Sequence, residues 1–311
     1  MVDLVETRTE LLCGRIFTQQ ELQEIQDIIR LFSKLSQTEI AKTICEMLSW
    51  FAPNGKYKLE SCRELLKKLE SKEWISLPEK RHARSPRKEQ AHSPSQIEAE
   101  PEIKGVLTDL GPIELQPVRN QEDIRLWNAY VDRYHMLGYK RPFGAHQRYF
   151  IWSGAPEKRR LGCMLFSASA WALAGRDTWI GWSKEDRSQR LHWIVNNTRF
   201  LIFPWVKVKN LASKALSLAA KRIGSDWKER YGFEPVLLET FVDVEHYKGT
   251  CYQAANWIKL GLTVGRGRMD RHNQHLSSPK QIYMYPLRPD FRVYLLGEPR
   301  EGRGTPQLHS S

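Results

Sequence analysis

The chain has 311 residues, 41% of them hydrophobic, which is enough for a domain of ordinary size and a smaller companion. Forty-eight Lys and Arg against 36 Asp and Glu leave a net charge of +12, a balance that suits a polyanionic partner such as DNA or RNA and does not by itself identify one. No stretch reaches the roughly 18 to 20 apolar residues of a membrane span, and the start MVDLVETRTELL lacks a basic-then-apolar leader, so a cytoplasmic protein without membrane contact is expected. The cysteines Cys13, Cys45, Cys62, Cys163 and Cys251 are scattered, with no CxxC pair, so reduced thiols are expected and a structural zinc is not.

Residues 1–78 read as a small helical domain. Thr18 followed by Glu21 forms a capping-box pattern, after which Leu22, Ile25, Ile28, Ile29 and Phe32 share one helical face. Ser36 and Glu39 repeat the pattern before Ile40, Ile44 and Leu48. A third helix places Leu59, Cys62, Leu65, Leu66 and Leu69 in a buried stripe and leaves Arg63 and Lys67 outside, and EWISLP after it is a candidate wing strand. Such a unit suits a helix-turn-helix or winged-helix reader of the major groove, or a plain three-helix packing module with a basic face.

Residues 79–108, with repeated Ser-Pro and few large apolar side chains, read as a basic, disordered linker. From 109 to 296 the pattern is mixed, and 297–311 reads as a flexible tail. IELQPV, RRLGCMLFSAS, HWIVNNTRFLIFP, PVLLETFVDV and QIYMYPL are strand patterns, and NQEDIRLWNAYVDRYHML is a helix. A long helix follows Asn210, its N-cap, and stops at Gly232; CYQAANWIKLG is a short helix closed by Gly261. The chain is therefore expected to be α+β: the helical domain, then an α/β domain whose central mixed sheet is covered by helices.

The candidate chemistry lies late in the chain. Glu239 and Asp243 invite a metal-dependent nuclease, with Mg2+ as its ion and Asp270 as a third acid. Residues four apart on a strand stand about 13 Å apart, however, so one metal held by Asp243 with Glu245 is the simpler arrangement. Tyr252 is a candidate nucleophile flanked by His246, Lys248 and Thr250, against the plainer role of a packed aromatic. Cys251 near a helix start has the plainer role of a small buried residue. Lys207, Lys209 and Asn210 at a helix start, Lys248 with Thr250, and Arg266, Arg268 and Arg271 around two glycines are candidate phosphate contacts, with Lys259 and Lys280 nearby and Arg63 and Lys67 in the helical domain. Trp171, Trp179 and Trp182 lie in a weakly periodic segment and are candidates for exposed, base-stacking rings.

Two families are resembled. The order of strand, long helix, strand and the segment AANWIKLG is similar to the C-terminal half of the GNAT acetyltransferase fold, in which a glycine-rich turn binds the acyl-CoA pyrophosphate. Asn210 stands where that pattern has its key glycine, so acetyl-CoA is not expected to bind. IFPWVKVKNLAS, RYGFEPVLLETFVD, GTCYQAANWIKLG, GRGRMDR and PKQIYMYPL together resemble the Druantia anti-phage protein A family, some members of which are associated with transposases. That resemblance implies bacterial defence or a mobile element. The expected function is binding or processing of single- or double-stranded DNA, alongside other defence proteins such as a helicase. A metal-dependent nuclease or transposition-associated strand processor and a divergent acyltransferase are the alternatives.

Overall fold

The computed structural model describes residues 9–32, 35–48, 50–52, 57–79, 99–140, 142, 144–154, 158–170, 173–263 and 278–297. The chain opens on a hairpin, β1 (Thr9–Leu12) and β2 (Arg15–Thr18), turned at Cys13 and Gly14, whose φ angles of 49° and 72° suit a tight two-residue turn. Three helices follow: α1 (Gln19–Leu31), α2 (Gln37–Met47) and α3 (Leu59–Ser71). Both expected capping boxes form. The Glu21 N–H donates to Thr18 Oγ1 at 3.2 Å, and the Thr18 N–H donates to Glu21 Oε2 at 3.0 Å. Around Ser36 and Glu39 the same two bonds measure 3.3 and 3.2 Å. Cys62, Leu65, Leu66 and Leu69 are buried as the helical spacing requires.

The EWISLP segment after α3 forms no wing strand. Residues 75–79 run as irregular chain, tied down by Leu77 N–H to Glu70 Oε1 and by Gln37 Nε2 to the Pro78 carbonyl. The β-structure of this unit precedes its helices instead, in the hairpin.

The remainder contains β3 (Ile103–Gly105), β4 (Glu114–Pro117), α4 (Gln121–Tyr134), β5 (His146–Trp152), β6 (Arg160–Ala168), α5 (Ala174–Ile180), α6 (Lys184–Arg190), β7 (Ile194–Ile202), β8 (Val206–Val208), α7 (Leu211–Tyr231), β9 (Leu237–Asp243), α8 (Thr250–Ala254), β10 (Ile258–Leu262), β11 (Lys280–Pro286) and α9 (Phe291–Leu295). Seven strands form one mixed sheet in the order β10-β11-β9-β7-β6-β5-β4, with the helices packed against it. The α+β architecture expected from alternating strand and helix patterns is thus present. In the stretch read as linker, Ile103–Gly105 forms β3 and pairs in parallel with β8.

Every pairing in the large sheet is antiparallel except that of β7 with β9. Those two pair only from Ile194–Asn196 to Leu237–Glu239, although both strands run on. A bulge explains the parting. Phe166 faces Asn197 and Leu165 faces Arg199, which leaves Thr198 as an extra residue that bends β7. One sheet face is covered by α7 through Leu216, Ala219, Ile223 and Trp227; α5 and α9 cover the other at β9 and β11, where Ile180, Trp182, Phe291 and Leu295 meet Leu237, Ile282 and Met284.

Three local expectations are corrected. Asn210 does not cap α7 with its side chain: it takes a left-handed backbone (φ 64°), and no side-chain cap bond forms. The helix begun at Thr250 ends at Ala254, because Asn256 turns left-handed (φ 62°), and the following residues become β10 with Gly261 inside it. Trp182 is buried and Trp179 stacks on Phe291 with centroids 5.2 Å apart, so both help cover the sheet; Trp171 lies outside the described residues.

Candidate nucleic-acid interface

The carboxyl ends of β7 and β9 lie at one end of the sheet, where ligands of open α/β sheets commonly bind because loops there diverge. The chain leaving β7 carries Lys207, Lys209 and Asn210 into α7, and the chain leaving β9 carries Lys248 into α8, which packs beside α7. All three lysines, Asn210 and Thr250 are exposed. In the β3–β8 ladder Lys104 stands directly beside Lys207, adding a cation that the sequence offered no way to place, since the two are far apart in the chain. Arg266, Arg268, Asp270 and Arg271 lie outside the described residues.

Gly249 fixes the turn into α8. Its φ is 68°, and a Cβ there would lie 2.5 Å from the Tyr283 hydroxyl. That close approach seats Tyr252 in the gap between the parting strands. Its ring stacks on Tyr283 at 5.5 Å, and its hydroxyl donates to Asn197 Oδ1 at 2.9 Å. Asn197 in turn donates from Nδ2 to the Leu165 carbonyl, and its own carbonyl accepts from Thr240 Oγ1 at 2.9 Å. Burial pushes the Tyr252 hydroxyl above its ordinary pKa, and burial likewise raises Cys251. Tyr252 therefore forms the wall beneath the lysine-bearing loops.

Glu239 and Asp243 are parted by depth. Glu239 has no exposed surface: Oε1 accepts from the Ala170 N–H and Oε2 from Arg176 Nη1, each at 2.8 Å. Arg176, equally buried, also bonds the Ala170 carbonyl and Asp177, and Asp177 pairs with Arg187 at 2.9 Å. Asp243 sits at the strand end with other company. Its Oδ1 accepts from the Glu245 N–H at 3.1 Å, and its Oδ2 lies 3.2 Å from His246 Nδ1. Partial burial opposes its charge, but the Glu245 N–H, the His246 ring and the Ser278 hydroxyl outweigh this and hold the carboxyl below its usual pKa. Asp243, Glu245 and His246 can each bring one ligand atom within 4.8 Å of the others. Two carboxylate oxygens and an imidazole suit a divalent ion such as Mn2+ or Mg2+. Titrating Mn2+ calorimetrically is expected to show one weak site that Asp243→Asn removes; heat unchanged by that substitution would place the ion elsewhere.

The basic residues of the helical unit lie apart from these. Arg63 donates to Thr38 Oγ1 at 3.0 Å and pairs with Glu60, and with Lys67 it borders a concavity of about 400 Å³ that Gln37 also lines. The unit packs near the last turn of α7: Phe32 meets Phe233 at 6.3 Å, and Ile28 and Met47 share a cavity wall with Trp227. Lys209 and Asn210 precede the first turn of the same 21-residue helix, so they stand on the order of 30 Å from the end against which the helical unit packs.

The fold and this end of the sheet define an α+β protein with a mixed seven-stranded sheet and a cation-rich loop cluster at the carboxyl ends of its two parallel strands. Residues 68–297 match the family model described as Druantia protein DruA, and the chain belongs to that anti-phage defence family. No curated protein matches it. Among solved structures it is similar to the spermidine N-acetyltransferase of Vibrio cholerae in complex with CoA and spermine, at 13% identity and a TM-score of 0.35, covering 55% of this chain and 94% of that one. It is also similar to spermidine/spermine N-acetyltransferase SpeG from Vibrio cholerae in complex with manganese ions, at 11% identity and a TM-score of 0.36, covering 56% and 92%. Among the described residues no helix is long and apolar enough to cross a membrane.

Proposed function

We propose that this DruA-family chain serves anti-phage defence by holding the phosphate backbone of nucleic acid across the carboxyl ends of β7 and β9. The observation that carries the reading is that exposed Lys207 on β8, Lys209 before α7 and Lys248 before α8 all lie on the chain leaving the carboxyl ends of β7 and β9, where α7 and α8 pack together, with Lys104 beside Lys207. The ammonium groups of Lys207, Lys209 and Lys248 match phosphate oxygens and would give sequence-independent affinity, while Lys104 is paired with Glu102 at 2.8 Å. The helical unit, with Arg63 and Lys67, supplies a second contact region.

The test is a gel-shift series with end-labelled single- and double-stranded DNA at several salt concentrations. Replacing Lys207, Lys209 and Lys248 together by Ala is expected to reduce the salt slope by about 2 to 3 and the affinity by at least tenfold at low salt. An unchanged slope would remove the lysines from the interface, and no shift at low salt would sink the reading.

A second reading, metal-dependent processing of the bound strand, rests on the Asp243, Glu245 and His246 cluster beside Lys248. A divalent ion there would supply Lewis-acid stabilisation of phosphate oxygens, and this chain's carboxylates and imidazole would hold it. Denaturing gels should then show fragments with Mg2+ that vanish with Asp243→Asn; intact DNA under all conditions leaves a binding subunit alone.

A further inference from the structure

At the other end of α7, away from the proposed interface, a cavity of about 240 Å³ is lined by Val118, Arg119, Ile124, Arg148, Glu229 and Arg230. Three of the six residues are arginines, contributed by β5, by the turn before α4 and by the last turn of α7. Arg119 and Glu229 satisfy one another in a two-pronged pair, with bonds of 2.8 and 2.6 Å. Arg148 has no such partner. It is 6% exposed, its Nε is buried without an acceptor, and among the described residues no carboxylate pairs with it. The guanidinium lies over the Trp127 ring at 5.4 Å, and burial lowers its pKa against the opposing influence of nearby Tyr139. A buried cation short of acceptors is costly unless a counter-charge arrives.

We infer that this cavity is an anion site, in which Arg148 at the base and Arg230 at the rim hold the phosphate group of a small phosphorylated ligand. Guanidinium forks match tetrahedral oxyanions two bonds at a time, which is the chemistry that Arg148 in the cavity lining and a second arginine beside it offer together. The size agrees, since 240 Å³ falls below the roughly 300 to 1,000 Å³ of drug-sized pockets and suits a phosphate with little attached. Glu229 limits the site. Its carboxylate occupies Arg119 and sets a negative charge on the rim, so anion affinity is held down by a group that takes no part in binding.

Calorimetry with inorganic phosphate at constant ionic strength, with chloride as control, tests this on the full chain. Saturable binding is expected in the unaltered protein. Arg148→Met and Arg230→Gln should each weaken it by about tenfold or more, and Glu229→Gln should tighten it severalfold, because it frees Arg119 and removes a charge. The tightening is a signature that a merely structural role for these residues would not produce. Because Arg230 is exposed, its variant remains informative should Arg148→Met fail to fold. No saturable phosphate binding, or binding that all three substitutions leave unchanged, would overturn the assignment. A competing oligonucleotide separates the sources of the phosphate: displacement by oligo-dT, with a DNA salt slope lower by about one in Arg230→Gln, would mark a backbone phosphate, and its absence a small free ligand.

Discussion

Glu239→Ala is expected to lower the unfolding free energy by about 3 kcal/mol, because it removes one of the two carboxylates paired with the fully buried Arg176 and leaves Asp177 shared between Arg176 and Arg187. The Ala170 N–H would lose its acceptor in the same step. Urea unfolding followed by fluorescence measures this directly. The double replacement of Glu239 and Arg176 by Met should recover most of the loss, since an apolar pair of similar volume replaces a buried ion pair at little cost. A loss under about 1 kcal/mol in Glu239→Ala, with DNA-dependent activity abolished, would reverse the structural reading and make the carboxylate a participant in chemistry.

Gly249→Val should cost about 2–4 kcal/mol through two separate effects. A β-branched residue is strained at φ 68°, and its Cβ would collide with the Tyr283 hydroxyl and ring, at 2.5 and 2.9 Å. Tyr283 stacks on Tyr252, so the disturbance reaches the hydroxyl that bonds Asn197 and the turn that presents Lys248. Thermal unfolding together with the gel-shift series would show stability and DNA affinity falling together. A variant with unaltered unfolding would mean that the turn can rearrange without the tyrosine pair.

Much of the scaffold can be read from local patterns. Two capping boxes, the buried stripe of α3, the long helix ended by Gly232 and five of the strands each depend on neighbours a few residues away. The strand β5 carries as strong an apolar and aromatic run as its partners, yet it follows directly on a Pro- and Gly-containing segment and gave no separate signal. What stays hidden is long-range. The partners of two candidate residues are of this kind: Glu239 is bonded by Arg176, 63 positions earlier, and the Tyr252 hydroxyl donates to Asn197, 55 positions earlier. The exposure of Lys207, Lys209 and Lys248 was legible because exposure is a lysine's ordinary state. Arg148 and Arg230 gave no sequence signal, since a strand, a helix end and a turn must meet before their shared cavity exists.

The helix α7 sets a spacing: under the proposed function, a duplex reaching from Lys209 before its first turn to the exposed Arg230 in its last would extend for about nine base pairs at 3.4 Å each. Shorter fragments would reach only one of the two, so affinity should rise in a step with length near that size.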